Sequence, residues 1–372
     1  MALRRIGVLT GGGDAPGLNP AIRAVVWKAA ELGAEVIGIY DGWRGLVDGH
    51  DAEVWPLDPE LVRYWDLDGG THLGSSRTNP FNLSRGGGGK RVDASDEVLQ
   101  AMARLELDAL IPIGGEDTLG VAARLAKKGA RVVGIPKTID KDLNGTDYTL
   151  GFDTSLRTCA DIIERSRTPA GSHHWVQVVE VMGRHAGHLA LWSGLAGGAF
   201  ITLIPEAPFA LDRVLKLLDD RLAKGGRDRR FPRYAVVVVA EGAHPSGGKE
   251  ITLEEKVDAF GHVRLGGIGS WLAEQIRQRT QWDSRSVALG HPQRGGTPSP
   301  IDRVMGHLFG SAAVDAVVAG KWGHFVSAHG IAPACEIKLE SLDEVTKGWR
   351  LVDVARHYDT EHYRASHTIL SV

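Results

Sequence analysis

The feature that most constrains this chain is a repeated order of short runs. A stretch apolar on both faces ends in glycine or a charged turn, and a stretch with helical spacing follows. Ile6–Thr10 ends in Gly11-Gly12-Gly13-Asp14, and Glu35–Tyr40 ends in Asp41-Gly42. Ala109–Ile113 ends in Gly114-Gly115-Glu116-Asp117, and Arg131–Ile135 ends in Pro136-Lys137-Thr138. Trp175–Val181 ends in Met182-Gly183-Arg184, and Tyr234–Ala240 ends in Glu241-Gly242. Runs of this kind suit parallel strands covered by helices on both sides.

Helical stretches fill the gaps. Ser95–Leu107 sets Val98, Leu99, Met102 and Leu105 on one stripe, with Ser95 as its N-cap. Thr154–Arg167, Leu211–Leu222, Gly267–Thr280 and Asp302–Val318 read in the same way. Arg85–Lys90 and Gly225–Arg233 read as surface loops. Strand–helix alternation over the whole chain, without a repeat of solenoid period, predicts an α/β fold with parallel sheets. Ligands in such folds bind at the carboxyl ends of the strands. The 48 glycines concentrate at the ends of the apolar runs, where backbone must approach something closely. Charged residues beside these glycines mark an active-site rim rather than plain turns.

Composition narrows the class. A chain of 372 residues with 43% hydrophobic content can bury a core in two ordinary domains or one large one. A net charge of -3 argues against a general nucleic-acid or anionic-membrane binder. Cys159 and Cys335 have neither a CxxC partner nor a histidine at metal-ligand spacing, so no disulfide framework or zinc site is expected. His173, His174, His185 and His188 are spaced for a loop and a helix start rather than for a metal. Met1–Thr10 lacks the apolar stretch of a signal peptide, and no run approaches the ~20 residues of a membrane span. A reducing cytoplasm is the expected location.

Three constellations carry chemistry. Gly11–Asn19 (GGGDAPGLN) joins a strand to a helix through a glycine loop whose amides suit a phosphate, although it is not a Walker A motif. Glu116 and Asp117 in GGEDT suit a magnesium ion or, equally, the acidic start of a helix. Pro136–Asp142 (PKTIDKD) offers Asp140 and Asp142 as a general base and a metal-side carboxylate, with lysines to neutralise phosphoryl oxygens. A solvated charged loop is the plain alternative.

These segments occur in order with Gly69–Arg77 (GGTHLGSSR), Pro136–Thr154 (PKTIDKDLNGTDYTLGFDT), Val178–Leu191 (VVEVMGRHAGHLAL) and Leu289–Arg303 (LGHPQRGGTPSPIDR). The ordered set resembles the phosphofructokinase-A family over nearly the whole chain. The resemblance implies two similar α/β lobes with parallel-rich sheets flanked by helices and an active site in the cleft between them. A phosphoryl-donor lobe would comprise 1–151 and 293–343, and a sugar-phosphate lobe 152–292 and 344–372. The chain would cross near Phe152 and return near Gln293. It further implies magnesium-dependent phosphoryl transfer to the 1-hydroxyl of fructose 6-phosphate by a homodimer or homotetramer, with neither nucleic acid nor membrane as partner.

Roles follow by matching position. Asp140 would deprotonate the sugar hydroxyl, a poor nucleophile at neutral pH. Arg77 and the amides of Gly12 and Gly13 would stabilise the transferred phosphoryl group. Glu116 takes the family's usual metal-side aspartate position, with Thr138 and Asp142 completing that shell. Met182, Gly183, Arg184 and Glu241 would hold the sugar. His291, Arg294 and Arg285 would bind its remote phosphate, Arg285 reaching across a subunit interface.

Two positions separate phosphoryl donors in this family. ATP users commonly carry glycine in GGDG and in PGTID, where this chain has Asp117 and Lys137. Asp117 sets bulk and negative charge where a nucleotide would lie, and Lys137 offers a cation to the second phosphate of pyrophosphate. The expected donor is therefore pyrophosphate, in a reaction that runs both ways. ATP is the alternative.

Three positions depart from the family pattern. Lys141 replaces the usual asparagine, and a cation there would lower the pKa of Asp140. Trp175 falls where many relatives carry an arginine for the 6-phosphate. Either the acceptor is another sugar phosphate, such as sedoheptulose 7-phosphate, or Trp175 packs an interface. Trp27 replaces an effector-site arginine of allosteric relatives and argues against nucleotide control. A catalytically weak regulatory subunit is the reading of another class. It would have lost the base or the phosphate-binding arginines, yet Asp140, Arg77, Arg184 and Arg294 are all present.

Overall fold

Two sheets, one of seven strands and one of four, organise the chain. The computed structural model describes residues 3–47, 54–85, 90–228, 230–254, 260 and 264–366. The larger sheet contains β1 (Arg5–Thr10), β2 (Glu35–Ile39), β3 (Val54–Leu57), β4 (Ala109–Gly114) and β5 (Val133–Pro136). The smaller contains β6 (Val176–Val181), β7 (Ile201–Leu203), β8 (Ala235–Ala240) and β9 (Ser284–Ala288). The chain then returns to the larger sheet with β10 (His324–His329) and β11 (Glu336–Ser341). Spatial order is β11-β10-β5-β4-β1-β2-β3 and β9-β6-β8-β7. Only the outer pairs β2/β3 and β10/β11 are antiparallel.

Helices cover both faces of the larger sheet because its strands are apolar on both. Ile6 and Val8 pack with Leu18 and Ile22 of α1 (Leu18–Glu31) and with Met305 and Phe309 of α8 (Pro300–Val318). Leu9, the next residue along, turns to Val98 of α2 (Ser95–Arg104) and Leu119 of α3 (Glu116–Lys127). That alternation is the period of two of a strand applied to two buried faces. Gly306 and Gly310 let α1 and α8 touch closely. A Cβ on either would stand 2.6 Å from Pro20 Cβ or Ala21 O. Around the smaller sheet, α4 (Phe152–His173), α5 (His188–Ala196), α6 (Leu211–Arg227) and α7 (Ile268–Arg279) enclose a second core. No helix among the described residues is long and apolar enough to cross a membrane.

Several local expectations are corrected. Ala94, not Ser95, caps α2, because Asp93 Oδ1 already accepts the Ser95 amide at 2.9 Å and its hydroxyl at 2.6 Å. Gly225–Arg227 is the last turn of α6 rather than loop. Arg85 and Lys90 end an antiparallel strand pair, and 86–89 lie outside the described residues. Helix α4 runs six residues beyond Arg167, past Pro169.

Asp302 fastens α8 to the start of α4. Its fully buried Oδ1 accepts Tyr148 OH and Gly151 N, both at 2.7 Å, and Oδ2 accepts Thr154 N at 2.9 Å and Thr154 Oγ1 at 2.5 Å. Asp302→Ala would leave these donors buried without an acceptor and is expected to cost about 3 kcal/mol of stability, read from the urea midpoint. An unchanged midpoint would mean that water replaces the carboxylate.

Past β11 the chain crosses to the smaller sheet. Trp349 pairs antiparallel with Leu143, Arg350 N donates to Asp142 O at 2.8 Å, and Val352 N donates to Glu206 Oε1 at 2.9 Å. Tyr358 and Tyr363 then bury in the second core.

Candidate active site

The carboxyl ends of β1, β4 and β5 open onto one cleft, faced by the end of β6. Gly12, Gly13, Arg77, Glu116, Asp117, Thr118, Lys137, Thr138, Asp140, Asp142, Arg184 and Arg294 line it. Parallel strands place every such end on one edge, so segments separated by more than a hundred residues meet there.

The glycine loop is held from beneath. Lys137 is 2% exposed, and its ammonium donates to Gly11 O at 3.1 Å and to Gly13 O. Burial, with the nearby Arg294 charge, pulls this ammonium down to about 7. Arg294 arrives from the turn before α8 and donates to Asp14 O at 3.2 Å. A Cβ on Gly13 would stand 2.8 Å from its guanidinium, so a side chain there would push the Arg294 guanidinium aside. The Gly12 amide, expected to face a phosphate, has a protein acceptor here. It donates to Ser76 O at 3.0 Å, which ties the loop to the segment carrying Arg77.

Carboxylates form the floor. Asp140 is 5% exposed, and its buried Oδ1 has no hydrogen-bond partner among the described residues. Its amide donates to Thr138 Oγ1 at 3.1 Å. Burial, and then the charge of Asp140, push the Asp142 carboxyl up. The same two causes raise Glu241 to about 7. Lys141, beside Asp140 in sequence, does not line the cleft. Its backbone is left-handed (φ 57°), which turns the ammonium away to stand 4.9 Å from the Phe152 ring and 5.6 Å from that of Trp192. Burial pulls this ammonium down to about 8.

Glu116 and Asp117 bear out the helix-start reading. They form the first turn of α3 and also line the cleft. No group of three metal-ligating side chains occurs among the described residues. Glu116, Thr138 and Asp142 line the cleft and offer hard oxygen donors, the chemistry that suits magnesium sharing its shell with phosphate oxygens and water.

The opposite wall is a tight turn. Gly183 has φ 144°, Arg184 has φ 50°, and Arg184 N donates to Glu241 Oε1 at 3.1 Å. Met182 N is held by Gln293 Oε1 at 3.0 Å. Among this group Arg184 alone lines the cleft, with Glu241 directly behind it. His291 is exposed on the turn that carries Arg294 and does not reach the lining. Arg285 is also outside it. On edge strand β9 it pairs with Asp283 at 3.2 Å and stands 5.2 Å from the Trp175 ring, which stacks on His173. Trp27 is covered by Arg23 at 3.6 Å and donates to Pro59 O.

Sequence reasoning missed Thr118, Gln293 as a brace, and Trp349. Trp349 Nε1 donates to Glu116 Oε2 at 2.7 Å across 233 residues, and no local pattern marks it among ten tryptophans.

The phosphofructokinase family pattern matches residues 5–317. The chain belongs to the phosphofructokinase family. It is 48% identical over 359 residues to the pyrophosphate–fructose 6-phosphate 1-phosphotransferase of Amycolatopsis methanolica, covering 96% of this chain and 98% of that one. It is 47% identical over 327 residues to the ATP-dependent 6-phosphofructokinase of Chloroflexus aggregans, covering 88% of each. Phosphofructokinase from Saccharomyces cerevisiae superposes with a TM-score of 0.75 at 27% identity over 92% of this chain. This chain spans 45% of that yeast chain. The two-lobed α/β architecture is thus the phosphofructokinase fold.

Proposed function

We propose that this phosphofructokinase transfers a phosphoryl group from pyrophosphate to the 1-hydroxyl of fructose 6-phosphate, reversibly, giving fructose 1,6-bisphosphate and phosphate. The observation that carries the reading is the buried, unpartnered Oδ1 of Asp140 in a cleft walled by Arg77, Lys137, Arg184 and Arg294. A carboxylate oxygen without a donor awaits a hydroxyl, and the cations suit phosphoryl oxygens.

In this mechanism Asp140 Oδ1 takes the proton of the 1-hydroxyl as its oxygen attacks phosphorus. The bond from phosphorus to the bridging oxygen of pyrophosphate breaks, and phosphate leaves. Arg77 and Arg294 meet the charge that spreads over the equatorial oxygens. Arg184 orients the acceptor, its backbone fixed by Glu241. Glu116, with Asp142 and Thr138 beside it, would hold magnesium, which would supply charge neutralisation on the phosphoryl oxygens. Residues 1–151 and 293–343 form the donor side, and 152–292 and 344–372 the acceptor side. The exposed Arg285 on edge strand β9, with the half-buried Trp175 ring 5.2 Å away, supports a homodimer or homotetramer in which they meet a neighbouring copy. Two free cysteines support a cytoplasmic location.

Asp117 and Lys137, both lining the cleft, favour pyrophosphate as donor. The likeness to an ATP-dependent enzyme at 47% identity keeps ATP as the second reading. Initial rates with fructose 6-phosphate and Mg²⁺, with pyrophosphate or ATP at matched concentration, decide. Turnover with pyrophosphate alone is the expected result. Turnover with ATP alone would defeat the donor assignment. Silence with both would direct the next assay to sedoheptulose 7-phosphate and other sugar phosphates, given Trp175, or to a regulatory subunit.

A further inference from the structure

The crossing segment Gly348–Arg350 behaves as a strap over the cleft. It is fastened along the loop that follows the catalytic aspartate. Trp349 pairs with Leu143, Arg350 N donates to Asp142 O at 2.8 Å, and the Arg350 guanidinium pairs with Asp147 at 2.6 Å. The strap therefore shares the frame of Asp140 and Asp142. From it Trp349 extends to both walls. Its indole N–H donates to Glu116 Oε2 at 2.7 Å on the first turn of α3. Its ring stacks on His185, with centroids 4.4 Å apart, and His185 Nδ1 lies 3.0 Å from Glu250 Oε1.

Trp349 is 41% exposed, so apolar burial does not explain its place. An indole offers one donor and no acceptor, and here that donor is spent on a carboxylate. A glutamate at a helix start has several open rotamers, and one charge-assisted bond selects among them. His185 adjoins Arg184, the acceptor-wall residue that lines the cleft.

We propose that Trp349 is a positioning residue for phosphoryl transfer. It sets the Glu116 carboxylate at a fixed spacing from Asp140 and Asp142 and holds the Arg184–His185 turn opposite. This role rests on reading the cleft as a phosphoryl-transfer site.

The experiment is a double-mutant cycle of W349F and E116Q, with W349A for comparison, on purified protein. Trp349→Phe keeps the stack and removes the hydrogen bond. It should lower kcat about tenfold and leave the KM for fructose 6-phosphate unchanged. Trp349→Ala loses the stack as well and should also raise that KM. In the double variant, Trp349→Phe should add little to the loss caused by Glu116→Gln, since the tryptophan acts through the glutamate. With ¹⁵N-labelled tryptophan, the indole resonance absent from W349F should move in E116Q, a readout independent of turnover. Wild-type kcat in W349F, fully multiplicative losses, or an unmoved indole resonance would each overturn the proposal. Wild-type activity with ATP alone defeats only the donor reading, and the same cycle run with ATP still decides. No turnover with either donor would overturn both.

Discussion

Asp140→Ser is expected to reduce kcat by about a thousandfold while fructose 6-phosphate still binds within a few-fold of wild type. The hydroxyl that must attack phosphorus is deprotonated only by a group within reach, and Asp140 Oδ1 is a buried cleft oxygen that no donor among the described residues occupies. Serine keeps a small polar side chain and loses the base. Binding survives because Arg184 and the acceptor wall remain. Removing one carboxylate also relieves Asp142 and Glu241, both held protonated in part by the charge of Asp140. Rates with saturating substrates, beside calorimetric titration of fructose 6-phosphate, make the measurement. Surviving turnover would remove Asp140 from the role of base. Lost binding with lost turnover would make it a binding residue instead.

Lys137→Met is expected to lower kcat/KM for pyrophosphate about a hundredfold, the scale for deleting one preorganised donor from a closed site. The ammonium has two tasks. It presents charge to the cleft, and it pins the carbonyls of Gly11 and Gly13 so that the glycine loop keeps its shape. Methionine fills the space without charge or donors. A pH signature follows. With the ammonium pulled down to about 7, the free enzyme loses this cation as pH rises through neutrality. Wild-type kcat/KM for pyrophosphate should decline above that pH. Glu241, ionising in the same range, adds to the decline. In Lys137→Met the alkaline limb should become shallower, and comparing the two proteins cancels the ionisation of pyrophosphate itself. Equal limbs would mean that Lys137 does not titrate there. Full activity in the variant would remove it from donor binding.

Much of the fold was legible in sequence because its strands are buried on both faces. Ala235–Ala240 reads as a continuous apolar run, and Val176–Val181 as one broken only by Gln177 and Glu180; both are buried throughout. Ser284–Ala288 was not legible. It is an edge strand with exposed Arg285 and Ser286, so it carries no apolar run. His324–His329 was missed for a related reason, since histidines at both ends and a serine within interrupt the pattern.

Within the site, local order determined which chemistry was available. Glycine loops, paired carboxylates and lysines sit beside one another in the chain, and a parallel sheet sends each strand end to the same edge. Direction and partnership were decided only by the tertiary structure. Lys141 lies between two cleft aspartates in sequence, yet a left-handed backbone turns it toward Phe152 and Trp192. The Gly12 amide is taken by Ser76, and Lys137 supports the glycine loop from below. Trp349 meets Glu116 across 233 residues. Sequence spacing determines a side chain's neighbours only within a turn or a strand. Across the cleft, the packing of two sheets and the path of the returning chain choose them.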